Sequence, residues 1–256
     1  MPLFYPLNVA SSLAATCLRG GVGVATRPAQ VQPAELLVLY DFEGCPHCRL
    51  VREVLTELDL DAQILPCPRG GQRYRPEVIN KGGKAQFPYL VDVNTGVAMY
   101  ESADIIRYLF RTYGQRPLPW YWQAVELQRL FSVLASLPRL GVGSRARGGQ
   151  NEVEPPALPL ELYSFESSPF ARPVRDLLCE LQLPYILRSV GRSQPTDWLP
   201  PVWRRQQDLP APNTRNRLAL SQRTSQVSIP YLIDPNTQTE MAESADIIDY
   251  LHETYS

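Results

Sequence analysis

The sequence predicts an α/β protein made of two tandem copies of one small unit, and three observations predict it. Tyr40-Asp-Phe-Glu-Gly-Cys-Pro-His-Cys-Arg-Leu-Val-Arg52 returns as Tyr163-Ser-Phe-Glu-Ser-Ser-Pro-Phe-Ala-Arg-Pro-Val-Arg175, at an offset of 123. Pro88-Tyr-Leu90 and Glu101-Ser-Ala-Asp-Ile-Ile106 return at Pro230 and Glu243 at an offset of 142, so a 19-residue insertion lies between Val190 and Ile229. Within each copy, short apolar runs alternate with amphipathic helical patterns.

In the first copy, Leu36 to Tyr40 is an apolar run that suits a buried strand. A helix follows from Pro46, since proline is favourable at a first helical position. Val51, Val54, Leu55 and Leu58 then share one apolar face. Ala62 to Cys67 reads as a second strand, Pro76 to Asn80 as a weak helix, and Pro88 to Asp92 as a third strand. Asn94-Thr-Gly96 is a hairpin turn, because Asn and Gly tolerate positive φ. Val97 to Tyr100 closes the hairpin. Ser102 is placed to N-cap a last helix running to about Tyr113, with Ile105, Ile106, Leu109 and Phe110 inward. The order β-α-β-α-β-β-α is the thioredoxin arrangement, and the second copy gives the same order.

The expected organisation is a helical extension over 1–34, a thioredoxin-like domain over 35–114, a helical linker over 115–158 and a second such domain over 159–256. The first 34 residues lack acids and could pass for a transit peptide. Against that, Arg19-Gly-Gly-Val-Gly23 resembles Arg139-Leu-Gly-Val-Gly143, and a cleavable leader should have no internal counterpart. A helix preceding each unit is the better reading.

A net charge of −1 argues against nucleic acid or an anionic membrane as main partner. Five cysteines form no disulfide framework, which suits a reducing compartment. The most apolar stretch, Trp120 to Leu137, is interrupted by Glu126 and Arg129, so no membrane span is expected.

Cys45-Pro-His-Cys48 falls where the first strand ends and the first helix begins. Free N–H groups and the macrodipole there favour a thiolate at Cys45. Cys48, one turn on, is placed to resolve a mixed disulfide. A protonated His47 would further favour the thiolate and make the couple relatively oxidising. Half a zinc site is the competing reading, but zinc wants four ligands and only Cys67 or His47 offers a third, so no metal is expected. Pro88 after Phe87 suits the cis-proline of thioredoxin folds, which lets a substrate backbone pair with Phe87. An edge-strand proline is the plainer alternative, and its repetition at Pro230 counts against it. Glu101 and Ser102 at a helix start suit an α-amino-acid end, such as a γ-glutamyl group, with a plain helix cap as the alternative. Of Arg69, Arg73, Arg75, Lys81 and Lys84, one could hold a glycyl carboxylate while most are solvated.

Phe42-Glu-Gly-Cys-Pro-His-Cys-Arg49, Pro66-Cys-Pro-Arg-Gly70, Gly82-Gly-Lys-Ala-Gln-Phe-Pro-Tyr89, Asp92-Val-Asn-Thr-Gly96 and Tyr100-Glu-Ser102 resemble the glutathione-transferase N-terminal and glutaredoxin family. The whole chain is most similar to its tandem-domain members from cyanobacteria and plant chloroplasts. That resemblance implies glutathione as ligand or co-substrate, Cys45 as nucleophile, and Pro88, Glu101 and Ser102 as glutathione contacts, with Lys84 of the basic stretch the candidate for the glycyl carboxylate. It implies protein or small-molecule disulfides as partners, a cytoplasmic or stromal location, and admits a homodimer. His47 departs from the family, which commonly has Phe there.

The second copy has Ser168-Pro-Phe-Ala171 and so lacks both redox cysteines. It is expected either to bind glutathione through Ser168, Pro230, Glu243 and Ser244, or to serve packing alone. Its insertion, with Arg204, Arg205, Arg215 and Arg217, is expected near the ligand groove. Cys179 is expected to be buried. The leading function is a glutathione-linked disulfide reductase or deglutathionylase. Glutathione conjugation is the runner-up, and it would call for an all-helical domain after the last Glu-Ser helix. A non-enzymatic protein holding an iron–sulfur cluster between two chains is the third.

Overall fold

The computed structural model describes residues 5–147, 155–199, 209–224 and 227–256. Helix α1 (Tyr5–Leu18) leads into β1 (Leu37–Asp41), α2 (Pro46–Leu58), β2 (Ala62–Pro66), α3 (Arg75–Gly82), β3 (Tyr89–Asp92), β4 (Val97–Met99) and α4 (Ser102–Leu109). A π-helical turn, Phe110–Gly114, extends α4. Helices α5 (Trp120–Gln123) and α6 (Val125–Ser136) bridge to β5 (Leu160–Ser164), α7 (Ala171–Glu180) and β6 (Tyr185–Ser189). Then come α8 (Arg215–Thr224), β7 (Tyr231–Asp234), β8 (Thr239–Ala242) and α9 (Ser244–Tyr255). Each half is a thioredoxin-like unit: β1 runs parallel to β2 and antiparallel to β3, and β5 repeats this with β6 and β7.

The two units share one sheet. Its order is β4-β3-β1-β2-β6-β5-β7-β8, a palindrome about the β2–β6 junction. There Ala62, Gln63 and Ile64 pair antiparallel with Leu187, Ile186 and Tyr185. A thioredoxin-like unit alone would leave β2 as an open edge, and pairing two such edges removes the liability in both. The apolar core is accordingly continuous across the junction, from Leu39, Val54 and Ile106 to Leu162, Val174 and Ile248. The α2 face read from the sequence (Val51, Val54, Leu55, Leu58) is fully buried.

Each hairpin is tied to its last helix by one carboxylate. Asp92 accepts from the hydroxyls of Tyr108 and Tyr113, and Asp234 does so from Tyr250 and Tyr255. Three local expectations need correction. Glu101, not Ser102, is the N-cap of α4, with φ 66°, and Ser102 is its first helical residue. The apolar stretch from Trp120 to Leu137 breaks at Ala124, whose ψ of 54° leaves the helical region. The stretch read as a weak helix from Pro76 is a capped helix, ended by Gly83 at φ 81°.

The helices preceding each unit are exchanged. α1 precedes the first unit but packs on α7 of the second, and α6 precedes the second but packs on α2 of the first. Both turn small residues inward, Ser12 and Ala15 on α1, Ser132 and Ala135 on α6, which lets the backbones approach. Ser132 Oγ donates to the Pro46 carbonyl at 2.7 Å. The turns that follow enter between the units, and glycine is required there. A Cβ on Gly143 (φ 72°) would sit 2.6 Å from Asp176 Oδ1 and 3.0 Å from Glu43 Cβ, and one on Gly23 would press on Glu53 and Glu166. Among the described residues no helix is long and apolar enough to cross a membrane.

Between the units lies a buried ion network. Arg52 of α2 binds Asp41 and reaches Glu166 of the second unit at 2.9 Å. Arg175, its repeat counterpart, lies 3.0 Å from both Glu43 of the first unit and Glu166. Arg19 bridges to Glu53 at 2.8 Å, and Arg139 to Asp176. Removing one partner strands a buried charge. Glu166→Ala is expected to lower stability by about 3–5 kcal/mol, read as a reduced urea midpoint by circular dichroism. The loss should appear in one transition, because Glu166 serves arginines of both units.

Candidate active site

The site is built where β1 ends, α2 begins and the register Tyr40↔Tyr89 brings the start of β3 alongside. Cys45 is the N-cap of α2 and Pro46 opens the helix. Cys45 Sγ accepts from the Cys48 backbone N–H at 3.3 Å. Both cysteines are buried, Cys45 at 5% exposure and Cys48 at 0%.

The two thiols are driven apart. The pKa of Cys45 is lowered by the hydrogen bond from the Cys48 thiol, against its own burial, with help from the N–H groups of Cys48 and His47 and from Arg52. That of Cys48 is raised well above the ordinary thiol value by burial and by donation to Cys45. A helix N-terminus and a buried guanidinium thus favour the thiolate form of Cys45, while burial favours the protonated form of Cys48.

His47 does not act as the sequence suggested. It is an exposed side chain whose pKa is lowered by partial burial and by Arg129, which disfavours the protonated form that the sequence reading invoked. The positive charge near Cys45 comes from Arg52 instead. This removes the ground given for an oxidising couple.

The Phe87–Pro88 and Ile229–Pro230 bonds are both cis. Phe87 packs edge-on against Phe42 at 6.1 Å, and the Arg75 guanidinium lies 4.7 Å over its ring. Most of the basic stretch is engaged. Arg75 donates to the Cys67 and Pro68 carbonyls, Arg73 to the Gln182 carbonyl, and Lys81 to the Tyr40 hydroxyl. Lys84 lies 4.7 Å over the Tyr100 ring. The Glu101 carboxylate accepts from Gln86 and sits 3.6 Å from Arg129. Ser102 is 2% exposed, and its hydroxyl has no hydrogen-bond partner.

The second unit keeps the frame and loses the chemistry. Ser168 Oγ accepts from the Ala171 N–H at 3.1 Å, as Cys45 does from Cys48. Phe170 stands exposed at the position of His47. Glu243 repeats the backbone of Glu101 with φ 69°. Ser244, unlike Ser102, has its hydroxyl bonded to that of Tyr5 on α1. The insertion is directed towards the junction in part: Arg215 pairs with Asp61 of the first unit at 3.1 Å, and Arg217 with Asp197 at 3.0 Å. Arg204 and Arg205 lie outside the described residues. Cys179 is buried, accepting from the Glu43 N–H and donating to the Gly143 carbonyl. Among the described residues no group of three or more His, Cys, Asp or Glu is arranged to hold a metal.

Sequence reasoning missed Arg52, Arg129 and Tyr5. Arg52 was legible in principle. Phe-Glu-x-x-Pro-x-x-Arg-x-x-Arg survives in both copies although the cysteines do not, which marks a role independent of redox chemistry. Arg129 and Tyr5 gave no such signal, since each reaches its site only through helix exchange.

The thiolate assignment has a direct readout. Iodoacetamide should modify Cys45 in the reduced protein with a half-maximal rate at a pH below that of a free cysteine thiol. Cys48→Ala removes the largest stabiliser of the Cys45 thiolate and should move that midpoint upward. An unmoved midpoint would contradict the assignment.

A family model described as the glutathione S-transferase N-terminal domain matches residues 39–117 and 162–256. No curated protein matches the chain. Among solved structures, one similar chain is the Bombyx mori glutathione transferase BmGSTD1, at 25% identity and a TM-score of 0.30. The match covers 41% of this chain and spans half of that one, 50%.

Proposed function

We propose that this chain, which belongs to the glutathione S-transferase N-terminal domain family, is a glutathione-linked thiol–disulfide oxidoreductase acting through its first unit. The observation that carries the reading is two thiols at one helix start: Cys45 caps α2 and its Sγ accepts the Cys48 N–H at 3.3 Å, an arrangement that favours thiolate at Cys45 and thiol at Cys48. Disulfide exchange needs that pair of states, since the thiolate is the nucleophile and its partner must wait protonated.

In this scheme Cys45 Sγ attacks the glutathione sulfur of a mixed disulfide. A Cys45–glutathione bond forms, the original S–S bond breaks, and the leaving thiolate takes a proton from water. Two routes clear the adduct. A second glutathione thiolate attacks it, giving oxidised glutathione and the Cys45 thiolate. Alternatively, Cys48 loses its proton and attacks Cys45 Sγ, releasing glutathione and leaving a Cys45–Cys48 disulfide. Two further glutathione molecules then supply the two electrons that reduce it. Phe87 and Pro88 flank the approach to Cys45, and Glu101 and Ser102 suit the γ-glutamyl end.

The second unit supports packing rather than conjugation. Its Ser244 hydroxyl is already bonded to that of Tyr5 on α1. Glutathione-dependent reduction of a glutathionylated peptide tests the scheme. Cys45→Ser should fall to the uncatalysed rate, while Cys48→Ser should retain turnover through the glutathione route. Activity surviving Cys45→Ser, or lost with Ser168→Ala in a conjugation assay, would refute it.

A further inference from the structure

The geometry points to Arg129, on the exchanged helix α6, as the residue that receives the α-carboxylate of the ligand's γ-glutamyl end. This rests on the glutathione reading above and adds a contact from outside the thioredoxin-like unit. Arg129 lies between the N-termini of α2 and α4: its charge depresses the pKa of His47, and its Nη2 is 3.6 Å from Glu101 Oε2. Two polar atoms there are buried without a hydrogen-bond partner, Arg129 Nε and Ser102 Oγ. Both can donate, and what they lack is an acceptor. Buried donors are costly when unsatisfied, so an anion arriving at the start of α4 would relieve both.

The Arg129–Glu101 pair also fits a zwitterion. An α-amino-acid end carries one ammonium and one carboxylate. It can part the pair, giving its ammonium to Glu101 and its carboxylate to Arg129 and Ser102. Arg129 gives up its Glu101 contact while keeping Glu126, which accepts from its Nη1 at 2.7 Å, and no net charge is buried.

The repeat supplies an internal comparison. Arg19 and Arg139 align the leading helices at an offset of 120, so Val9 occupies the place of Arg129, and Tyr5 that of Val125. In the second unit the aligned helix position therefore carries an apolar side chain in place of the guanidinium, and Tyr5 already satisfies the hydroxyl of Ser244. The chain should therefore bind one ligand and not two.

Isothermal titration with S-methylglutathione, which cannot exchange, tests this on the full chain. The comparison ligand has γ-aminobutyryl in place of the γ-glutamyl group and so lacks the α-carboxylate. One site per chain is expected. Arg129→Met should weaken S-methylglutathione roughly ten- to hundredfold and leave the comparison ligand within about twofold, and Arg129→Lys should recover part of the loss. Unchanged thermal melting and Cys45 alkylation rate would show that Arg129→Met is folded. Equal loss for both ligands, no loss for either, or two sites per chain would overturn the inference. Failure of the unmodified protein to bind S-methylglutathione would instead remove the glutathione reading itself.

Discussion

Two arginines and two glutamates, buried between repeated units, hold this molecule in its arrangement. Arg52 and Arg175 each contact Glu43 and Glu166, so every member bonds across the junction as well as within its own half. Burial opposes ionisation of Glu43, yet Arg175 and Arg52 prevail and hold its pKa down at about 2. Asp41 goes the other way, to about 6, because burial outweighs its one guanidinium partner. Such a network need not be more stable than an apolar interface of equal volume. What it supplies is direction. Leucine against leucine tolerates sliding, whereas these groups are satisfied in one relative placement of the units. The antiparallel β2–β6 pairing needs that placement.

The same network reaches the chemistry. Arg52 is one residue with two duties: it closes the junction through Glu166 and favours the Cys45 thiolate from within α2. A free thioredoxin-like unit would have to keep a buried guanidinium by its site with Asp41 and Glu43 alone. The second unit supplies the additional carboxylate, Glu166. A copy without the two cysteines thereby contributes to the first, since its Glu166 and Arg175 complete the charge pattern around Arg52.

The repeat made the unit fold and the place of Cys45 at the start of α2 legible, because strand, helix and turn signals are local. Val54, Leu55 and Ile106 sit inward as their spacing demands, and Phe87–Pro88 is cis. The joined sheet was not legible. Whether β2 stays an edge or pairs with β6 is decided by contacts more than 100 residues apart, and neither strand carries a signal that distinguishes the cases. His47 was misread for a related reason. Its pKa is lowered by partial burial and by Arg129, which sequence distance places far away and α6 brings near.

Helix exchange links these points. A helix belonging to the second half lies across α2, its Ser132 hydroxyl on the Pro46 carbonyl next to the nucleophile. The first half therefore owes the cover over its site to a segment that follows it, and the second owes the plug on Ser244 to a segment that precedes the first. Because those segments differ at two aligned positions, Tyr5 against Val125 and Val9 against Arg129, one frame sets Arg129 beside Glu101 in the first half and Tyr5 on the Ser244 hydroxyl in the second. The difference between the halves is thus written only partly in their own cysteines. The remainder is carried by the leading helices, and these act because the ion network fixes where each half must stand.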